Sequence, residues 1–179
     1  MALCGHNGWA MKFASLEAIV RVLNDAPARY LVVGGLAVAA HGFGRATFDV
    51  DLVIQLHPDN VRRAMGALET LGYRPLVPVP ASALADPAIR ESWIREKQII
   101  VFQLHSEQHR ETRIDIFVTE PFDFDAEYDN ALLGELLPGA PARFVRIETL
   151  IRMKESAGRA KDLEDIRQLR LLKESRHNE

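Results

Sequence analysis

The segment Phe48-Asp49-Val50-Asp51-Leu52-Val53-Ile54 constrains this chain more than any other, because it sets two acids inside an otherwise apolar, strand-forming run. In a strand, residues two apart point to the same face. Asp49 and Asp51 therefore project together, while Val50, Leu52 and Ile54 face the opposite way into a core. Two neighbouring carboxylates repel, and burial penalises each of them unless a cation compensates. Hard divalent cations such as Mg²⁺ are held by carboxylate oxygens of this kind. An edge strand with both acids in solvent also satisfies the alternation, but the flanking apolar residues favour a central position.

A second strand, Arg113-Ile114-Asp115-Ile116-Phe117-Val118, repeats the pattern, with Ile114, Ile116 and Val118 on one face and Asp115 on the other. By itself Asp115 reads as a surface strand residue. If this strand neighbours the one over 47–55, its carboxylate joins the first two at one point. Three converging carboxylates are the arrangement that two-metal phosphoryl transfer requires. Upstream, Gly34-Gly35 separates an apolar run, Tyr30 to Val33, from a short Ala-rich helix over Leu36–His41. Glycines there let the backbone approach a phosphate closely, and a helix N-terminus adds amide donors. Such a pair is usually only a tight turn, so its weight comes from the Asp-x-Asp that follows.

The remaining pattern alternates helices and strands. Phe13, Leu16, Ile19, Val20 and Leu23 recur at helical spacing over 13–24. A helix is expected over Asn60–Leu71, capped by Pro58-Asp59 and ended by Gly72. Residues 74–90, with their prolines, read as a surface loop. Gln98–Leu104 and Thr112–Val118 read as a hairpin, Phe122–Leu137 as acidic and partly helical, and Ala142–Ile147 as a last short strand. From Glu148 the apolar spacing is helical, with Gly158 marking a break between two helices. The expectation is an α+β fold, a mixed sheet flanked by helices, in one domain: a tail over 1–12, a core over 13–147 and a C-terminal helical segment over 148–179 packed on it. Met11 is a second candidate start.

Charge and composition exclude several classes. Hydrophobic residues make up 47% of the 179, enough for one real core. Cys4 is the only cysteine, so no intrachain disulfide forms and a reducing, cytoplasmic setting is expected. No apolar run approaches the roughly 20 residues of a membrane span. A net charge of −3 argues against a protein that coats nucleic acid without specificity. The distribution is uneven, however. Glu111, Asp115, Glu120, Asp123, Asp125, Glu127, Asp129 and Glu135 stand against Arg113 alone, whereas Lys and Arg outnumber the acids from Arg143 to Arg176. That asymmetry points to a basic surface facing an anionic ligand, or else to a mixed, solvated helix face. His105 and His109 could share a metal at helical spacing, but in a hairpin turn they read as a surface pair. His41 reads as a helix-end histidine, Cys4 as an unpartnered thiol, and Trp9 and Trp93 make no stacking platform for bases.

Gly34-Gly35 followed by Arg45-Ala46-Thr47-Phe48-Asp49-Val50-Asp51-Leu52 resembles the signature of the DNA polymerase β-type nucleotidyltransferase superfamily, including its later acid on a strand. Glu148 to Leu169 is similar to the C-terminal motif of the AbiEii/MenT-like branch, with Lys154, Arg159, Lys161, Asp162 and Asp165 in its places. The second glycine stands where many members carry serine. The resemblance implies that Asp49, Asp51 and Asp115 bind two Mg²⁺ ions, with Asp115 also activating an acceptor hydroxyl. It implies an NTP substrate contacted by Gly34, Gly35 and Thr47, with Lys154, Lys161 and Arg159 over the triphosphate. Asp162 and Asp165, three apart on one helix face, would orient Lys161 or Arg159 by ion pairs.

Three functions fit these expectations. One is the toxin of a toxin–antitoxin pair, modifying tRNA or another RNA and held by a cognate antitoxin. Another is the same chemistry on a protein or a small-molecule antibiotic. The last is an idle fold that binds a nucleotide or a partner, against which the intact Asp49, Asp51 and Asp115 speak.

Overall fold

A computed structural model describes residues 7–44, 47–135 and 138–177, with side chains from 13 to 176 within those ranges. Cys4, Arg45, Ala46 and the Trp9 side chain lie outside the described residues, as does the first half of the expected tail, residues 1–6.

Among the described residues, seven strands form one sheet: β1 (Tyr30–Val32), β2 (Asp49–Ile54), β3 (Arg74–Pro75), β4 (Val101–His105), β5 (Arg113–Phe117), β6 (Leu132–Glu135) and β7 (Pro141–Phe144), in the order β3-β4-β5-β2-β1-β7-β6. The helices are α1 (Asn7–Asp25), α2 (Gly34–Ala40), α3 (Pro58–Thr70), α4 (Pro87–Lys97), α5 (Phe124–Asp129), α6 (Ile147–Ala157) and α7 (Asp162–His177). The α+β class and the mixed sheet are as the pattern predicts. β2 is central, parallel to β5 and antiparallel to β1. Both of its edges are therefore hydrogen-bonded, and its apolar residues Val50, Leu52, Val53 and Ile54 are buried.

On β2, β5 and β4 the alternation sorts the residues by face. Val50, Leu52, Ile114, Ile116, Phe102 and Leu104 are all buried on one side. The other side carries Asp49, Asp51, Arg113, Asp115, Phe117, Val101, Gln103 and His105, which are exposed or half-buried. α3 packs against β2 and α1 against α3, while α2 lies on β2 and meets α6. Each fully buried Leu or Ile removes enough apolar surface from water to contribute about 1.5–3 kcal/mol. No helix among the described residues is long and apolar enough to cross a membrane.

The structure differs from the expected elements in four places. The stretch 74–90 is not a surface loop: Ala81–Ala85 forms a 3-10 turn whose Ala81, Ala83, Leu84 and Ala85 are buried. α4 then begins at Pro87, with the Asp86 carboxylate accepting from the Ala88 amide at 2.9 Å, a capped start hidden among prolines. The acidic stretch is helical only through α5, and its remainder pairs as edge strand β6 against β7. α1 starts earlier than residue 13, at Asn7. Finally, Gly34 and Gly35 are the first residues of α2 rather than a turn before it.

Candidate active site

The register of β2 against β5 builds the site. Asp51 is the direct partner of Asp115, and Asp49 that of Arg113, on adjacent parallel strands. Directly paired residues share a face, so the three acids named from the sequence stand together on one side of the sheet. They stand at a boundary, with α2 against β2 on one flank and the open face of β4 and β5 on the other.

The Gly34-Gly35 step is fitted to this site by close approach. Gly34 has φ +63°, and a Cβ there would lie 1.9 Å from Asp51 Oδ2. A Cβ on Gly35 would lie 2.7 Å from Thr47 Oγ1. The Gly35 amide donates to the Asp51 carboxylate. Both glycines therefore leave room for Asp51 and Thr47 to lie against the backbone, and Gly35 also holds Asp51 through its amide, a role the spacing alone did not reveal. Thr47 itself is half-buried, its hydroxyl donating to the Asp49 carbonyl at 3.4 Å.

Burial, then the neighbouring charges of Asp115 and Asp49, push the Asp51 carboxyl up to about 6, against the opposing pull of the Gly35 amide and Arg159. The Asp115 carboxyl is also raised, by burial first and by Asp49. Gln103, Arg113 and Lys161 act in the opposite direction. Raised acids beside one another mark a place where a positive ligand is favoured. Among the described residues no group of three or more His, Cys, Asp or Glu is gathered tightly enough to hold a metal ion. Asp115 is turned to Gln103, whose Nε2 donates to its Oδ1 at 3.1 Å. Asp49 and Asp51 are an all-oxygen pair, however, and Mg²⁺ is commonly held by one or two carboxylates with substrate phosphates completing its shell. The pair fits that ion.

Opposite the acids lies the turn between α6 and α7. Gly158 closes α6 with φ +60°, its amide donating to the Lys154 carbonyl at 3.1 Å. The residues that follow carry Arg159, whose charge acts on Asp51, and Lys161, whose charge acts on Asp115. Lys154 is placed differently from the expectation. It is only 5% exposed, and its Nζ donates to Asp162 Oδ1 at 3.0 Å and Asp165 Oδ2 at 2.7 Å. Asp162 also accepts from Arg159 Nε at 2.7 Å. The two acids thus serve Lys154 and, through Asp162, Arg159.

Two further residues act on Asp115 that no motif marks, Gln103 and Arg113. Arg113 precedes Asp115 by two and so had to share its face. Gln103 is the cross-strand partner of Asp115 in the β4–β5 hairpin, a register the sequence did not specify. Other candidates fall elsewhere. His41 is buried with Nε2 2.8 Å from the Val145 carbonyl, tying α2 to the segment before α6. His109 stacks on Tyr73, with centroids 5.8 Å apart, and bonds Ser15 Oγ. Trp93 is buried and stacks on Phe102.

No protein-family model and no curated protein matches the sequence. Solved structures do match the fold. The solution structure of antibiotic-resistance factor ANT(2'')-Ia aligns with 91% of this chain and 89% of its own, at TM-score 0.56 and 15% identity. The crystal structure of ANT(2")-Ia in complex with adenylyl-2"-tobramycin aligns with 90% of this chain and 94% of its own, at TM-score 0.53 and 14% identity. At such identities the likeness is one of architecture, and the chain has the α+β, mixed-sheet fold of these nucleotidyltransferase-type structures.

Proposed function

We propose that this protein is a Mg²⁺-dependent nucleotidyltransferase that moves a nucleoside monophosphate from an NTP to an acceptor hydroxyl. The observation that carries the reading is the pairing of Asp51 with Asp115 across β2 and β5, with Asp49 on the same face and Arg159 and Lys161 opposite. Asp49 and Asp51 would hold the metal, which supplies charge neutralisation at the phosphates. Arg159 and Lys161 would grip the triphosphate as cations. Gly34 and Gly35, bearing no side chains, let the backbone pack directly against Asp51 and Thr47 at the metal and phosphate site. Lys154, engaged by Asp162 and Asp165, leaves that grip to its two neighbours. Asp115 would accept the proton of the acceptor hydroxyl as its oxygen bonds the α-phosphorus. The α–β bridging bond breaks in line, and pyrophosphate departs.

The acceptor is read from the open flank. Beyond Asp115 the uncovered face carries exposed Arg113 and Arg74 with half-buried His105 and Phe117. Cations with an aromatic neighbour suit an RNA end better than a polycationic small molecule. With the C-terminal resemblance to the AbiEii/MenT-like branch, this supports an RNA-modifying toxin controlled by an antitoxin. The fold likeness to ANT(2'')-Ia supports an antibiotic acceptor as the second reading.

The test is incubation with each α-³²P-labelled NTP, Mg²⁺ and either total bacterial RNA or tobramycin, beside Asp49→Ala/Asp51→Ala. Label entering RNA with wild type alone supports the first reading, and label entering tobramycin the second. No transfer, with calorimetry finding no Mg·NTP binding, overturns the enzyme reading and leaves a binding module.

A further inference from the structure

We infer that the buried Lys154–Asp162–Asp165 cluster is a positioning device, through which Asp162 fixes the direction of the Arg159 guanidinium and so sets nucleotide affinity from outside the site. The inference rests on the nucleotidyltransferase reading for its ligand and goes beyond it in naming how the triphosphate grip is held.

The geometry is unusual for a helix–helix joint. Lys154, Asp162 and Asp165 are 5%, 1% and 2% exposed, yet all are ionisable. Buried charges of this kind add little net stability over an apolar joint of equal volume, while removal of one partner is severe. Stability alone therefore does not call for them here. Asp162 is the branching point. Its Oδ1 accepts from Lys154 Nζ at 3.0 Å and its Oδ2 from Arg159 Nε at 2.7 Å, with Arg159 Nη2 at 3.4 Å from Oδ1. Burial alone would raise the Asp162 carboxyl, but the bonds from Arg159 and Lys154 outweigh it and hold the group below its usual range, ionised. Asp162 on α7 is thus pinned to α6 through Lys154, and its second oxygen is left to orient a guanidinium.

Arg159 needs that help. Its side chain is 56% exposed, in a turn that follows an αL glycine, Gly158, and an unheld arginine there would sample many rotamers. Held through Nε and Nη2, it keeps its Nη1 donors for the oxygens of a ligand. Its charge already acts on Asp51. Arg159 would touch the nucleotide; Asp162 and Lys154 would act only through it.

A double-mutant cycle on Mg·NTP binding, read by calorimetry with Mg·ATP and the other three Mg·NTPs in turn, tests this. Arg159→Ala is expected to weaken binding on the order of ten- to a hundredfold, as for a lost charge-assisted contact. Asp162→Asn, with folding checked by circular dichroism, is expected to lose a comparable factor. The combined variant should be no weaker than either alone. In turnover, Asp162→Asn should raise KM for NTP more than it lowers kcat. Additive losses, or a folded Asp162→Asn with wild-type affinity, overturn the positioning role. If Asp162→Asn does not fold, Arg159→Lys replaces it, since lysine keeps the charge but lacks the Nε grip. Wild-type affinity in Arg159→Lys then overturns the inference. Wild type binding none of the four nucleotides sinks the nucleotidyltransferase reading and this inference with it. Binding lost in Asp51→Ala but kept in Asp162→Asn sinks this inference alone.

Discussion

Asp51→Asn should make the metal-free protein more stable while abolishing transfer. The Asp51 carboxyl is lifted from 3.8 to about 6 by burial and by Asp115 and Asp49. Ionising it in the fold therefore costs about 3 kcal/mol more than in the unfolded chain. The sign follows from proton binding. Between about pH 4 and 6 the folded state keeps a proton that the unfolded state has released, so stability falls as pH rises through that window. Above it the full penalty stands. Asparagine keeps an oxygen for the Gly35 amide and carries no charge, although Arg159 loses its counter-charge. We expect a net gain of about 1–2 kcal/mol at pH 8, or roughly 2–8 °C in Tm for a chain of this size. The assay is thermal denaturation by circular dichroism in EDTA at pH 8 and at pH 4.5. The gain should be largest at pH 8 and shrink at pH 4.5, where wild-type Asp51 is largely protonated. Added Mg²⁺ should raise the wild-type Tm and leave the variant unmoved. A variant that melts below wild type at pH 8 in EDTA, or one whose gain is the same at both pH values, refutes the reasoning.

Other perturbations read different parts of the molecule. Gly34→Ala puts a Cβ 1.9 Å from Asp51 Oδ2 at φ +63°, so labelling should vanish and urea denaturation should register a loss above about 1 kcal/mol. Lys154→Met leaves Asp162 and Asp165 buried without their cation, and the urea midpoint should fall by the equivalent of about 3–5 kcal/mol. A loss under about 1 kcal/mol would mean that the two acids are not held by Lys154. Glu127 is buried and accepts from the Arg146 amide, the Arg146 guanidinium and Thr149 Oγ1, all within 3.1 Å. Glu127→Gln should therefore lose about 1–3 kcal/mol in the same assay with labelling retained, separating the α6 anchor from the site.

The parts of this molecule that could be read in advance are those governed by local periodicity. Asp49, Asp51 and Asp115 interrupt apolar alternation, and alternation alone says that each points away from its strand's buried face. Their meeting depends on β2 lying parallel to β5 with Asp51 opposite Asp115, a register fixed by the whole sheet. The sequence could state that condition but not meet it. Lys154 fails for the opposite reason. Its motif marks it as a cation near others, and nothing local distinguishes a lysine that reaches a ligand from one folded back between two acids. That distinction is set by how α6 crosses α7 and by the three-residue step from Asp162 to Asp165, which turns both carboxylates to the same neighbour. The turn of 3-10 helix and the start of α4 were hidden by proline, which ends one element and begins another equally well. Arg159 lies between these extremes. Its spacing to Asp162 announced an i,i+3 pair, but only the joint with Lys154 gives that pair a fixed direction. A charged side chain in this fold therefore acquires its role from whichever group already holds its partner, and for Arg159 that group is Lys154, on the far side of the Gly158 break, in α6.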